Sequence, residues 1–412
     1  MKTEKTDLQE MIEWLASFTD PEEKNGVTRL VYTESWSRAL KALQEWMRQL
    51  GFDVTTDSVG NLFGRIQGET DEVILTGSHL DSVRQGGKYD GSYGIISSIL
   101  AVSELAALKG KPHKTMEVVI FCEEEGSRFP YTYLGSSYVT GEYIEADLQE
   151  IKDPAGTSLI EAKEKAGFLN PLVPGGRSDV QRFVELHIEQ GCLLEKQAQD
   201  IGIAAAVTGQ KRFTVHVTGK ADHAGTTPMT MRRDAMEGAS AMIQKTLDIV
   251  RRLGDPAVAT VGQIEASPNS VNVIPGYVSF SIDIRHPEKK VLETVCETIE
   301  EAMRATARFY RLSISSECFM SVDPVAMDGG MISEIEHLCK DRGQNYRIMY
   351  SGAGHDAQVM GRSIPSALLF VPSKDGISHD PMEFTDPLHL ESGLALLKDI
   401  LYSWAYCPQK ER

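Results

Sequence analysis

Between residues 72 and 126 the chain reads as an apolar strand, an apolar helix and a second apolar strand, and this restricts the possible folds most. EVILTGSHLD (72–81) and TMEVVIFCEEEG (115–126) carry continuous rather than alternating apolar residues. A strand buried on one face alternates, whereas one buried on both does not. The helix between them, GIISSILAVSELAALKG (94–110), is apolar over most of its circumference. Strand, helix, strand of this kind predicts an α/β domain with a central parallel or mixed sheet covered on both faces. Ligand sites on such sheets gather beyond the carboxyl ends of the strands. HLD and EEEG fall there. Upstream, SWSRALKALQEWMRQLG (35–51) has the spacing of an amphipathic helix stopping at Gly51.

The pattern changes after residue 208. KRFTVHVTG (211–219) alternates as a strand, and a helix follows over 231–254. Strands at 257–266 and 276–286, a helix at 288–310 and a strand at 311–320 complete the region. This β-α-β-β-α-β order is ferredoxin-like. It predicts an α+β domain, 209–322, inserted into a discontinuous catalytic domain, 1–208 and 323–412. At 412 residues the chain is long for one core. SALLFVPS (366–373) returns to buried-strand chemistry, and LESGLALLKDILYSW (390–404) closes with a helix.

A net charge of −17 argues against a nucleic-acid partner, since it offers nothing to neutralise phosphates. No apolar run approaches the roughly 20 residues of a membrane span, so no membrane partner is expected. The start, MKTEKTDLQE, lacks the apolar centre of a secretory signal. Cys122, Cys192, Cys296, Cys318, Cys339 and Cys407 form no short CxxC pair. Reduced thiols and a cytoplasmic location are expected.

His79 leaves the end of the first buried strand, Asp81 lies two residues on, and Asp90 follows in a glycine-flanked loop. A metal-bound imidazole needs its other ring nitrogen held by a carboxylate or carbonyl, and Asp81 is placed for that. Asp90 could bridge two cations. Glu123, Glu124 and Glu125 end the second buried strand. An acidic pair at a strand end is more often a solvated terminus, but here a His/Asp cluster lies upstream. Adjacent carboxylates allow one to ligate metal while its neighbour acts as general base. FVELHIEQG adds His187 and Gln190, and ISHDP adds His379. His113, His286, His337 and His389 read as surface or loop positions, and packing explains His216.

Taken in order, GSHLDSV, GGKYDG, EEEGSRF, ELHIEQG, ADHAGTTPM, SVNVIPG, DIRH, SGAGHDAQ and GISHDP resemble the aminoacylase/carboxypeptidase-type di-metal hydrolases. Within them the likeness is to the amidohydrolases that cleave N-carbamoyl compounds, over essentially the whole chain. The resemblance implies a di-metal exopeptidase-like catalytic domain binding two divalent ions per subunit, manganese or zinc. One ion would take His79 and His187, the other Glu125 and His379, with Asp90 bridging. Glu124 would be the general base and Asp81 would orient His79. Gln190, Lys211, His223, Asn272, Arg285 and His355 would contact substrate, Lys211 standing where this branch carries arginine. The inserted domain would be a lid and dimer interface hinged near residues 208 and 323. His223 would then reach the other subunit's site in a homodimer and stabilise the oxyanion. The implied substrate is a small ureido carboxylate, allantoate ahead of N-carbamoyl-L-amino acids or β-ureidopropionate.

Overall fold

The computed structural model describes residues 7–142, 145–170 and 176–407; residues 1–6, most of the start read above as lacking a signal, lie outside them. One compact unit runs to Ala205 and resumes at Met327, and the second is Ala206–Ala326. The chain crosses between them on paired strands, Val325 opposite Val207 and Ala326 opposite Ala206.

The first unit is built on a nine-stranded mixed sheet. At its centre Thr70–His79 runs parallel to Lys114–Phe121 on one side and to Val180–Ile188 on the other. Ser366–Val371 lies parallel beyond Val180–Ile188. Leu62–Ile66 is antiparallel to Lys114–Phe121, which makes the sheet mixed. Every residue from Val73 to His79, Thr115 to Phe121 and Ser366 to Val371 is buried. Both faces are therefore covered, as uninterrupted apolar strands require. Register then sets the site: His79 is opposite Phe121 and His187 is opposite Phe370, so the four carboxyl ends finish level.

Helix Ser92–Lys109 starts one residue after Gly91, whose φ of 62° suits glycine. A side chain at Gly91 would also collide with the backbone and ring of His79. By length and composition this helix could cross a membrane, which the sequence reading did not anticipate. Yet 67% of it is buried inside the unit, in the central core. The closing helix is Pro387–Tyr406, longer than the periodicity predicts, because the Asp386 side chain accepts the Leu388 N–H and Pro387 occupies the first turn.

The second unit is an antiparallel sheet in the order Ile264–Ser267, Tyr277–His286, Gly209–Thr218, Ser313–Val322, with Val258–Thr260 also against Tyr277–His286. Helices Ala235–Leu253 and Lys289–Tyr310 pack on the face formed by Phe213, Val215, Val217, Val278, Phe280, Ile282 and Ile284. The predicted strand at 257–266 is broken. Thr260 pairs with Asp283 and Ile264 with Phe280, which leaves one unmatched residue and a bulge around Gly262. His286, expected at the surface, is buried at a strand end, its Nδ1 accepting the Glu288 N–H at 3.0 Å.

Candidate metal centre

Asp90 stands at the centre of the strand ends. Its Oδ1 lies 3.2 Å from His79 Nε2 and 3.1 Å from His187 Nε2, and its Oδ2 lies 3.2 Å from His379 Nε2. The fourth group on the His379 side is Glu125, whose Oε1 is 3.4 Å from His379 Nε2. One carboxylate thus presents each oxygen to a different set of donors. Ligating atoms within 4.8 Å of one another form the groups His79, Asp90 and His187, then Asp90, Glu125 and His379, and also His79, Glu124 and Glu125.

The rear of the two buried imidazoles that face Asp90 is held. His79 Nδ1 sits 3.0 Å from the Asp81 carbonyl and 3.4 Å from its carboxylate. His187 Nδ1 sits 2.9 Å from the Ile188 carbonyl. Donation to those carbonyls puts the proton on Nδ1 and turns the bare Nε2 inward, as a metal ligand requires. Asp81 does more than the sequence implies: its carboxylate accepts the backbone N–H groups of Glu124 at 2.9 Å and Glu125 at 3.1 Å. One aspartate therefore sets His79 and both glutamates. Asp81→Asn would turn an amide N–H against one of those backbone donors. We expect kcat to fall by about 10- to 100-fold, read beside the bound metal content; an unchanged kcat would remove Asp81 from the positioning frame.

The donor set fits two divalent cations. Burial drives Glu124 well above the usual carboxylate range, and burial together with the Asp90 charge pushes Glu125 up to about 7. Asp90 resists burial through its hydrogen bonds to His187, His379 and His79 and stays well below that range. For His379, hydrogen bonding to Asp90 outweighs burial and raises it to about 9. Asp81, Asp90, Glu124 and Glu125 crowded into one largely buried site repel one another, and cations relieve that repulsion.

Gln190 donates to Asp90 Oδ2 at 2.8 Å, so it belongs to this cluster. His355 stacks edge-on to His187 with ring centroids 4.6 Å apart. Among the described residues its buried Nε2 has no hydrogen-bond partner. The second unit holds the other residues named from the sequence. His223 and Asn272 are drawn together where Asp222–His223 pairs with Val273–Ile274, and the Ala224 N–H donates to the Asn272 carbonyl at 3.1 Å. His223 Nδ1 accepts the N–H groups of Gly225 at 3.0 Å and Thr226 at 3.2 Å. When neutral, His223 must therefore carry its proton on Nε2.

Lys211 stands apart from Arg285. It pairs with Ile284 on the helix-covered face of the sheet, whereas Arg285 pairs with Gln210 on the opposite face. Side chains alternate along a strand, so Lys211 does not join Arg285. The cation beside Arg285 is Arg212. Asp283, which the sequence reading missed, accepts from Arg285 Nε at 3.0 Å, from Arg212 Nε at 2.9 Å and from Gln210. Its place two residues before Arg285, on the same face, was the available signal.

A mixed α/β sheet whose parallel strand ends converge on one carboxylate and three imidazoles has the make-up of a metal-dependent enzyme. A family profile described as Peptidase family M20/M25/M40 matches residues 75–403. The chain is 41% identical to the allantoate amidohydrolase of Escherichia coli (strain K12) over 403 residues, covering 97% of this chain and 98% of the relative. It is 42% identical to the allantoate amidohydrolase of Bacillus subtilis (strain 168) over 405 residues, covering 98% of each. Among solved structures, an amidase of the hydantoinase/carbamoylase family from Burkholderia multivorans is similar at a TM-score of 0.90 and 34% identity, over 97% of both chains. The chain belongs to the peptidase family M20/M25/M40.

Proposed function

We propose that this chain hydrolyses the ureido group of allantoate, giving a ureidoglycine-type product, ammonia and carbon dioxide. The supporting observation is Asp90, one carboxylate shared between two donor sets, with the buried Glu124 grouped with His79 and Glu125. Likeness to two allantoate amidohydrolases supports the substrate. A second reading, hydrolysis of N-carbamoyl-L-amino acids, draws on the likeness to a hydantoinase/carbamoylase amidase. Ammonia release, measured on allantoate and on N-carbamoyl-L-amino acids with the same enzyme, decides between them. We expect allantoate to have the higher kcat/KM; the reverse order would transfer the assignment to the second reading.

His79, His187 and Asp90 would hold one cation, and Asp90, Glu125 and His379 the other, manganese before zinc. What such ions supply when bound is Lewis acidity toward the attacking water and the carbamoyl oxygen. Glu124 takes the proton as the water oxygen bonds to the carbamoyl carbon. It then returns that proton to the departing nitrogen as the C–N bond breaks. Burial suits Glu124 to both jobs, because its raised affinity lets it hold a proton between the steps. The released carbamate falls to ammonia and carbon dioxide. The Nε2–H of His223 is a donor for the developing oxyanion, and Arg285, steadied by Asp283, pairs with a carboxylate in a fork. Asn272, Gln190 and His355 complete the substrate contacts in this reading.

A homodimer belongs to the same proposal, with His223 of the partner subunit completing each site. Glu124→Gln and His223→Ala proteins should each be inactive alone. Mixed and allowed to exchange subunits, they should recover about a quarter of wild-type activity, because half the dimers are then mixed and each holds one intact site. No recovery despite demonstrated exchange would place His223 in its own subunit's site or outside catalysis.

A further inference from the structure

Glu383 lies beyond the last histidine motif, in SHDPMEF, and neither the ligand set nor the proposed chemistry uses it. It is 3% exposed. Its Oε1 accepts the backbone N–H of Tyr89 at 2.9 Å and that of Asp90 at 3.2 Å. Its Oε2 accepts the Ser378 hydroxyl at 2.9 Å, and Ser378 Oγ is itself 3.4 Å from Asp90 Oδ2. The loop before Asp90 is moulded to this carboxylate: a side chain on Gly87 would collide with it. Next to it the rings of Tyr89 and Phe384 meet edge to face, with centroids 6.3 Å apart.

We infer that Glu383 is a second positioning residue of the metal centre, beside Asp81, fixing the backbone of Asp90 and the Ser378–His379 turn against each other. Asp90 and His379 come from chain segments far apart in sequence, and among the described residues no regular hydrogen-bond ladder joins their loops. His379 also stands in the left-handed region at φ 56°, where a non-glycine residue needs its surroundings to hold it. A carboxylate suits this task because one oxygen can serve the Asp90 loop while the other serves the His379 turn. Shared support of this kind governs ligand placement, and its loss typically weakens metal affinity. The inference rests on the reading of Asp90 and His379 as ligands.

The test compares wild type, Glu383→Ala and Glu383→Gln after metal removal, titrated with Mn2+ while the free ion is followed by electron paramagnetic resonance. The melting temperature of each chelated protein and kcat and KM at saturating Mn2+ accompany the titration. Glu383→Ala should weaken Mn2+ binding by about 10- to 100-fold, with kcat reduced more than KM is raised. Glutamine can still accept both backbone N–H groups and can donate to Ser378, so Glu383→Gln should bind Mn2+ within a few-fold of wild type. Wild-type Mn2+ affinity in Glu383→Ala would overturn the inference, as would a lowered melting temperature with unaltered affinity in both variants. Should Glu383→Ala not fold, Ser378→Ala removes the Oε2 contact, together with the 3.4 Å contact from Ser378 Oγ to Asp90 Oδ2, and leaves the backbone N–H groups on Oε1 in place. It should weaken binding several-fold, and unchanged affinity there would also overturn the inference. A wild-type protein that binds neither Mn2+ nor Zn2+ would instead refute the ligand reading itself.

Discussion

Glu124→Gln is expected to lower kcat by about 10²- to 10⁴-fold while metal content and melting temperature stay near wild type. The reasoning starts with what the substitution leaves alone. Glutamine has the shape of glutamate, and the Glu124 backbone N–H, which Asp81 holds at 2.9 Å, is untouched. The donors around Asp90 do not include the Glu124 side chain. What disappears is a carboxylate able to take a proton and give it back. KM should therefore change little, and the whole effect should fall on kcat. Steady-state kinetics with metal analysis on the same sample check this. A variant with substantial turnover would remove Glu124 as the base. One that had lost an equivalent of metal would make it a ligand instead.

Much of this site was legible because its residues sit where secondary structure ends. His79, Glu124 and Glu125 each follow an uninterrupted apolar strand, and such strands can only be central and buried. Their level carboxyl ends then bring together residues distant in sequence without any further information. Side-chain direction was less legible. Lys211 and Arg212 differ by one position, and that one step moves a side chain to the other face of the sheet. The run KRFTVHVTG contains both, but only the pairing with Ile284 shows that Lys211 is turned toward the helices. Contacts made at long range were not legible at all. The second role of Asp81, beyond orienting His79, depends on the backbone of Glu124 and Glu125, and the contacts of Glu383 depend on Tyr89 and Asp90. Neither leaves a local pattern, since a carboxylate accepting backbone N–H groups places no demand on its partners' side chains. His286 failed for a related reason: a polar residue at a strand end reads as surface until the packing around it is known.

Chelation should abolish activity and lower the melting temperature, and adding Mn2+, Zn2+ or Co2+ should restore both to differing degrees. Two ions, each at 100 times its Kd, stabilise by about 5 kcal/mol, enough to shift the melting temperature by about 5–10 °C. The dependence on pH is the sharper test. In the chelated protein His379 titrates at about 9 rather than 6.5, and Glu125 at about 7 rather than 4.5. Between the ordinary and the raised value the folded chain holds a proton that the unfolded chain has released. Stability is therefore lost as pH rises, through 4.5 to 7 for Glu125 and through 6.5 to 9 for His379. His355, kept neutral by burial and by the neighbouring charge of His187, acts in the opposite sense, but only below pH 6.5. Above pH 7 the chelated protein should thus become progressively less stable. Cation binding requires the same protons to leave, so metal affinity should rise over that range. Melting curves of loaded and chelated protein should accordingly diverge from pH 7 to 9. A gap that stayed constant or narrowed would mean that Glu125 and His379 do not compete with protons for the ions, and the ligand set would have to be sought elsewhere.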